Sequence, residues 1–145
     1  MCFTIDKIYL KYCVNAIETL VKTKKFTTVY NIFIVSNVEY NSVKTNIFDK
    51  FESVDCRFTF IKYDNVFFNK TSSEIVNHTS SYVYVRLLLG SILPKCVDKV
   101  IYLDSDICVR EDLSELFTID LGTNIIGGVK DVGYDWFIQS NNKKY

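Results

Sequence analysis

Histidine, proline and paired cysteine are the scarcities that bound this sequence first. A single imidazole, His78, argues against a structural zinc site, which draws on several Cys and His ligands. The five cysteines, at 2, 13, 56, 96 and 108, are odd in number and contain no C-x-x-C pair, so no metal or redox motif is present. Reduced thiols of a cytosolic protein account for them, most serving as small core hydrophobes. An excess of one charge is lacking too: 17 Lys+Arg stand against 17 Asp+Glu. A nucleic-acid partner, which calls for a basic excess, is not expected, although a local patch stays open. No apolar run approaches the roughly 18 residues that a membrane span requires, so no integral membrane segment is expected. A strand begins almost at Met1 and leaves no room for a signal peptide, which makes a cytoplasmic location the expectation. The triplets Asn69-Lys70-Thr71 and Asn77-His78-Thr79 would matter only in a secreted protein. Glycine-rich phosphate loops are missing as well. There is no G-x-G-x-x-G after the first strand and no G-x-x-x-x-G-K-[ST], which leaves a dinucleotide dehydrogenase and a P-loop enzyme without support.

What is present is a globular composition, 48% hydrophobic and 23% charged with one proline, long enough for a single domain over 1–145. No repeat, charge run or low-complexity stretch interrupts it. Residues 2–5 read as a short strand that runs into Asp6. From about Tyr9 the apolar positions Leu10, Cys13, Val14, Ile17 and Val21 follow a helical period that fades near residues 22–25. Residues 31–35, NIFIV, are a second buried strand. Val43, Ile47, Phe48 and Phe51 carry a weaker helical pattern. Residues 57–62, RFTFIK, alternate strictly as a third strand. Residues 64–78 read as an irregular connection with one helical turn near 74–76. Residues 80–93, SSYVYVRLLLGSIL, form a helix closed before Pro94 and apolar nearly all round. Asp112-Leu113-Ser114-Glu115 opens a short helix with a capping-box pattern, and residues 124–130, NIIGGVK, make a further strand that ends on Asp131. Strands alternating with helices predict an α/β fold with a mostly parallel, Rossmann-like sheet.

The chemistry concentrates in residues 99–109, KVIYLDSDICV. An apolar run, 100–103, has the character of a fully buried parallel strand and stops on Asp104-Ser105-Asp106. In open α/β sheets ligands bind beyond the carboxyl ends of the strands. Residues two apart on an extended chain share a side, so Asp104 and Asp106 would converge. Two like charges that close repel unless a cation lies between them, and a hard divalent ion such as Mn²⁺ or Mg²⁺ suits oxygen ligands. From these three letters alone the alternative stands beside it: Asp and Ser are turn and cap residues, and a strand has to end somewhere. Arg86, in the middle of an apolar helix, either snorkels to the surface or points at the carboxyl ends of the strands, where a carboxylate or a phosphate would pair with it.

The run YVYVRLLLGSILPKCVDKVIYLDSDICVREDLSELFTIDLG resembles the central block of glycosyltransferase family 8, retaining galactosyl- and glucosyltransferases of GT-A fold. The shared features are the Y-x-R-L helix, the D-K-V-I-Y-L-D-x-D strand, the D-L-x-x-L-F helix and the following D-L-G. The opening, CFTIDKIYLKYCVNAIETL, is similar to the family's first strand and helix. The resemblance implies a GT-A nucleotide-diphospho-sugar transferase that moves a hexose, galactose or glucose, from a UDP-sugar to an acceptor. Whether that acceptor is a saccharide, a lipopolysaccharide or a protein stays open. It further implies that Asp104 and Asp106 hold Mn²⁺ at the donor diphosphate, that Asp6 meets the uracil or ribose, and that Tyr9 stacks on the base. Ser105 would approach the ribose through its backbone, and Arg86 would face the sugar or diphosphate. Asp131 would line the sugar pocket. His78 matches a position near the diphosphate in some members, with a solvated loop residue as the equal alternative.

The family's acceptor-site strand and its H-x-x-G-x-x-K-P-W motif, which supplies a third metal ligand and a lysine, are absent from this sequence. The resemblance therefore implies the donor-binding part of the domain, with its C-terminal part missing. Two other readings remain at this level. One is a non-catalytic module that binds UDP and metal and needs another chain to complete its site. The other is an unrelated α/β domain with an acidic, metal-binding edge.

Overall fold

A computed structural model describes residues 1–64 and 81–129. Strand β1 (Cys2–Ile5) leads into helix α1 (Leu10–Thr23), β2 (Tyr30–Ser36) and the short helix α2 (Tyr40–Val43). A π turn (Lys44–Phe48) and a 3-10 turn (Asp49–Phe51) extend α2, and β3 (Cys56–Lys62) follows. A 3-10 helix (Ser81–Leu88) continues directly into α3 (Leu89–Ile92), and α4 (Ser114–Thr118) comes after the acidic turn. The strands lie in the order β1-β2-β3, all parallel, with Cys2 opposite Phe33 and Tyr30 opposite Cys56. On the other side of β1 a single bridge joins Cys2 to Tyr102. There the Cys2 amide donates to Ile101 O at 2.9 Å and the Leu103 amide donates to Cys2 O at 3.0 Å.

Alternation along the strands explains why the sheet is covered on both faces. Phe3 and Ile5 of β1 and Ile32 and Ile34 of β2 join Cys13, Ala16, Ile17 and Leu20 of α1 in one cluster. Those four α1 residues recur at three- and four-residue steps and so form one stripe. Val43, Ile47 and Phe51, spaced by four, press on the same face. Cys2 and Val35, of opposite parity, join Val85, Leu89 and Leu93 on the far face. The result is a helix–sheet–helix sandwich of the α/β class. The third strand keeps its expected alternation: Phe58 and Phe60 pack on the first cluster and Ile61 on the second.

Three expectations are corrected. Residues 100–103 make a bridge and not a full strand, because in the parallel register β1 has no residue opposite Val100 and the chain turns at Asp104. The segment that starts at Ser81 is mostly 3-10 and buries one stripe, Val85, Leu89 and Leu93, while Leu87 is 71% exposed. The β-branched and aromatic run Tyr82-Val83-Tyr84-Val85 disfavours a regular α-helix there. Residues 124–129 form no strand: no described strand offers them a ladder, and Ile125 and Val129 are 93% and 94% exposed. The connection expected from residue 65 onward, with its turn near 74–76, lies outside the described residues. Among the described residues no helix is long and apolar enough to cross a membrane.

Candidate functional site

The acidic turn sits at the carboxyl end of the segment bridged to β1. Around it burial alternates. Leu103 and Ile107 pack against the α1-side core, Ser105 is buried, and Asp104 and Asp106 are exposed between them. The apolar flanks thus hold the turn down while both carboxylates stay on the open side. Asp6, half-buried, occupies the matching place after the neighbouring strand β1. Its Oδ1 accepts the amides of Ile8 and Tyr9 at 2.9 and 3.0 Å, which turns the chain into α1. Tyr9 is half-buried with its ring centroid 5.8 Å from that of Tyr12.

Arg86 reaches this edge from the 3-10 helix. Its Nη1 lies 3.5 Å from Asp104 Oδ1, and its guanidinium stands over the Tyr102 ring, 5.4 Å from the centroid. Elements of both readings left open by the sequence are present: Arg86 reaches the exposed surface and there meets a carboxylate at the carboxyl end of the segment bridged to β1. The arginine is not sealed in apolar surroundings: its side chain is 38% exposed and that of Asp104 55%. An ion pair this wet contributes no more than about 1 kcal/mol to folding. Tyr102 supports the pair from beneath, its hydroxyl 3.1 Å from Thr4 Oγ1. Burial pushes the Tyr102 phenol above its ordinary value; the Thr4 hydrogen bond opposes the shift and the Asp104 charge adds to it. It therefore stays protonated at neutral pH. Sequence reading took Tyr102 only as part of an apolar run. Its place two residues before the first carboxylate was the available signal that its hydroxyl would reach the sheet edge.

Asp104 and Asp106 supply hard oxygen donors, and among the described residues no group of three His, Cys, Asp or Glu side chains gathers to hold a metal. Among the described residues the donor set does not make a closed protein-only site. It fits Mg²⁺ or Mn²⁺ bound through one or two carboxylates and completed by phosphate oxygens and water. A separate hollow of about 450 Å³ opens past the ends of β1 and β2, lined by Lys7, Asn37, Val38, Glu39 and Ser42. None of Asp104, Ser105 and Asp106 lines it. His78 and Asp131 lie outside the described residues.

Beyond the turn, Asp112 gathers several partners. Its Oδ2 accepts the Lys25 amide and the Tyr30 hydroxyl, each at 2.8 Å, and its Oδ1 accepts the Ser114 amide at 2.8 Å and the Ser114 hydroxyl. Partial burial works against the charged carboxylate, but the hydrogen bonds from Ser114, Lys25 and Tyr30 outweigh it and hold the carboxyl well below its usual range. The expected capping box is not formed: α4 starts at Ser114 with Leu113 at its N-cap and no side-chain cap bond, Asp112 ties the turn just before it, and Glu115 instead meets Lys25 Nζ at 3.0 Å. The sequence offered no sign of the Lys25 and Tyr30 contacts.

Comparison with known proteins sets this geometry in context. The family model described as Glycosyl transferase family 8 matches residues 1–145. The chain is 30% identical over 148 residues to probable galacturonosyltransferase-like 10 of Arabidopsis thaliana, covering 100% of this chain and 39% of that protein. It is 30% identical over 115 residues to probable glycosyl transferase Gly of Streptococcus gordonii, covering 77% of this chain and 16% of that protein. Among solved structures, the galactosyltransferase LgtC in complex with donor and acceptor sugar analogs superposes with a TM-score of 0.79 at 26% identity, over 92% of this chain and 47% of LgtC. The chain spans less than half the length of these relatives.

Proposed function

This chain belongs to glycosyl transferase family 8 and has the GT-A fold, and on that premise we propose that it binds the UDP-sugar donor of a metal-dependent hexosyl transfer. The observation that carries the reading is the Arg86–Asp104 pair, exposed at the carboxyl edge of the sheet with Asp106 on the same turn. Asp104 and Asp106 hold Mn²⁺, or Mg²⁺ in its place. Arg86 faces the diphosphate or the sugar, where a forked cation suits phosphate oxygens. Asp6 meets the ribose or uracil, Tyr9 stacks on the base, and the Ser105 backbone approaches the ribose. His78 and Asp131 stand toward the diphosphate and the sugar.

The chemical demand is simple. A nucleotide diphosphate departs as the sugar–oxygen bond breaks, and negative charge grows on the leaving phosphate. A bound divalent ion would neutralise that charge. Arg86, already aimed at this edge, adds a positive charge that needs little reorganisation. Family membership supports retention at the anomeric carbon. The names of the relatives favour a galactose or galacturonic acid donor, with glucose the next choice. The acceptor, whether saccharide, lipopolysaccharide or protein, is left open.

Calorimetric titration of the purified chain with UDP tests the reading. Binding should require Mn²⁺ and should vanish in Asp104→Ala. Metal-independent binding, or none, would overturn it. A second reading is favoured by one observation, that among the described residues no group of three His, Cys, Asp or Glu side chains gathers to hold a metal. In it the chain is a binding module whose site another polypeptide completes. Mn²⁺-dependent UDP binding without measurable sugar transfer by the chain alone would favour this second reading.

A further inference from the structure

The acidic turn lies in a stretch with little regular structure of its own, since residues 103–113 belong to no helix or strand. Something else must hold it in place. On its N-terminal side the Cys2–Tyr102 bridge and the Tyr102–Thr4 hydrogen bond do so. On its C-terminal side the anchors come from α1 and from the start of β2. The Val109 amide donates to Thr19 Oγ1 at 2.9 Å. The same hydroxyl donates to Ala16 O at 2.9 Å, so both roles of one α1 side chain are used. Four residues after Val109, the Leu113 amide donates to the Tyr30 hydroxyl at 3.0 Å, and that hydroxyl donates to Asp112 Oδ2. Tyr30 is buried at the first position of β2, in the register that fixes β2 between β1 and β3. Val109 itself is buried in the α1-side core.

We propose that Thr19 and the Tyr30–Asp112 pair are positioning residues for the donor site. They fix the C-terminal flank of the Asp104–Asp106 turn to α1 and β2, and so hold both carboxylates where one ion can bridge them. The physical argument is one of constraint. A pair of ligands works as a pair only if its spacing is set before the ion arrives, and a site is held by the contacts of the residues around its ligands. With the bridge on one side and Thr19 and Tyr30 on the other, the turn is pinned at both ends. With the C-terminal anchors gone, Asp106 keeps its chemistry and loses its placement.

This inference rests on the donor reading above, and the experiment separates the two. Thr19→Val keeps the side chain's shape, retains α1 packing and removes the acceptor for the Val109 amide. Thr19→Ser restores the acceptor. Tyr30→Phe removes the second anchor. Two measurements are made on each variant and on the unaltered chain: Mn²⁺-dependent UDP affinity by calorimetry, and deuterium uptake of peptides that span 104–109. Thr19→Val and Tyr30→Phe should each weaken UDP binding about fivefold or more and speed exchange across 104–109, with uptake in β1 and β2 unchanged. Thr19→Ser should recover both. Unchanged uptake across 104–109, or faster uptake with unaltered affinity, would overturn the positioning role while leaving the donor reading intact. Failure of the unaltered chain to bind UDP with Mn²⁺ would overturn both, whatever the exchange shows. Uniformly faster exchange through β1 and β2 would mark the residues as merely structural and would also overturn the proposal.

Discussion

Arg86 Nη1 and Asp104 Oδ1 face each other at 3.5 Å across the end of the sheet, on segments 18 residues apart in the chain. Their side chains are partly open to water, so the pair is poised more for a ligand than for the fold. Replacing Arg86 by alanine should therefore change the thermal midpoint by no more than a few degrees. In the donor reading, the same replacement should weaken Mn²⁺-dependent UDP binding roughly tenfold or more, because hydrogen bonds to charged groups are worth about 1.5–3 kcal/mol. Lysine should restore only part of the loss, since it lacks the planar fork. Calorimetry and thermal melts on Arg86→Ala and Arg86→Lys check both statements.

Asp112 predicts a pH dependence of stability with a definite sign. Its folded carboxyl is held below the ordinary carboxylate value by the hydrogen bonds from Ser114, Lys25 and Tyr30, which outweigh its desolvation. A depressed folded value means that its contribution is complete above the unfolded value of about 3.9 and is lost as pH falls through the folded one. Asp112→Asn should melt lower than the unaltered chain at pH 7. The gap between the two should close as the pH is taken well below 4. Thermal melts between pH 7 and pH 2 measure this; a gap that widens on acidification would contradict it.

The thiols divide by burial. Burial pushes the Cys2 thiol up to about 12 against the opposing charge of the N-terminus, and burial also raises that of Cys13. Cys96 and Cys108 are exposed. Brief iodoacetamide treatment of the folded chain at pH 8 should label Cys96 and Cys108, and should label Cys2 and Cys13 only after denaturation. Peptide mass spectrometry reads the pattern.

Ile34 is fully buried in β2, within the core cluster that the sheet shares with α1. Its truncation to alanine should cost about 2–5 kcal/mol, through lost transfer energy and the cavity left behind. Ile125, 93% exposed, should tolerate the same change within about 0.5 kcal/mol. Chemical denaturation of the two variants side by side gives the comparison.

Much of the fold was legible because its signals are local. The 3.6-residue period of α1 and the alternation in β3 reflect which face each element must bury, and the ends of β1, α1 and β3 fall within about two residues of their expected places. Reading failed where pairing decides. Residues 124–129 carry strand-forming isoleucine and valine, but a strand also requires a neighbour, and none is present among the described residues. The segment expected as a helix over 80–93 is helical over 81–92, but its all-round burial failed for a related reason. Its composition is apolar all round, yet a sheet face accepts only one stripe, so Val85, Leu89 and Leu93 are taken and Leu87 is left in solvent.

The chain's own letters determined the α/β alternation, the family, and the identity of the carboxylates that follow the apolar runs, because periodicity and short motifs are properties of neighbours in sequence. Only the tertiary structure decided that Arg86 meets Asp104, that Tyr102 hangs from Thr4, and that Thr19 and Tyr30 hold the flank of the acidic turn. Those contacts join residues between 18 and 98 positions apart. No local pattern encodes them. They exist because the parallel sheet and its two helical layers bring distant segments together, Arg86 and Asp104 at the carboxyl edge and Tyr30 with residues 112–113 at the amino end of β2.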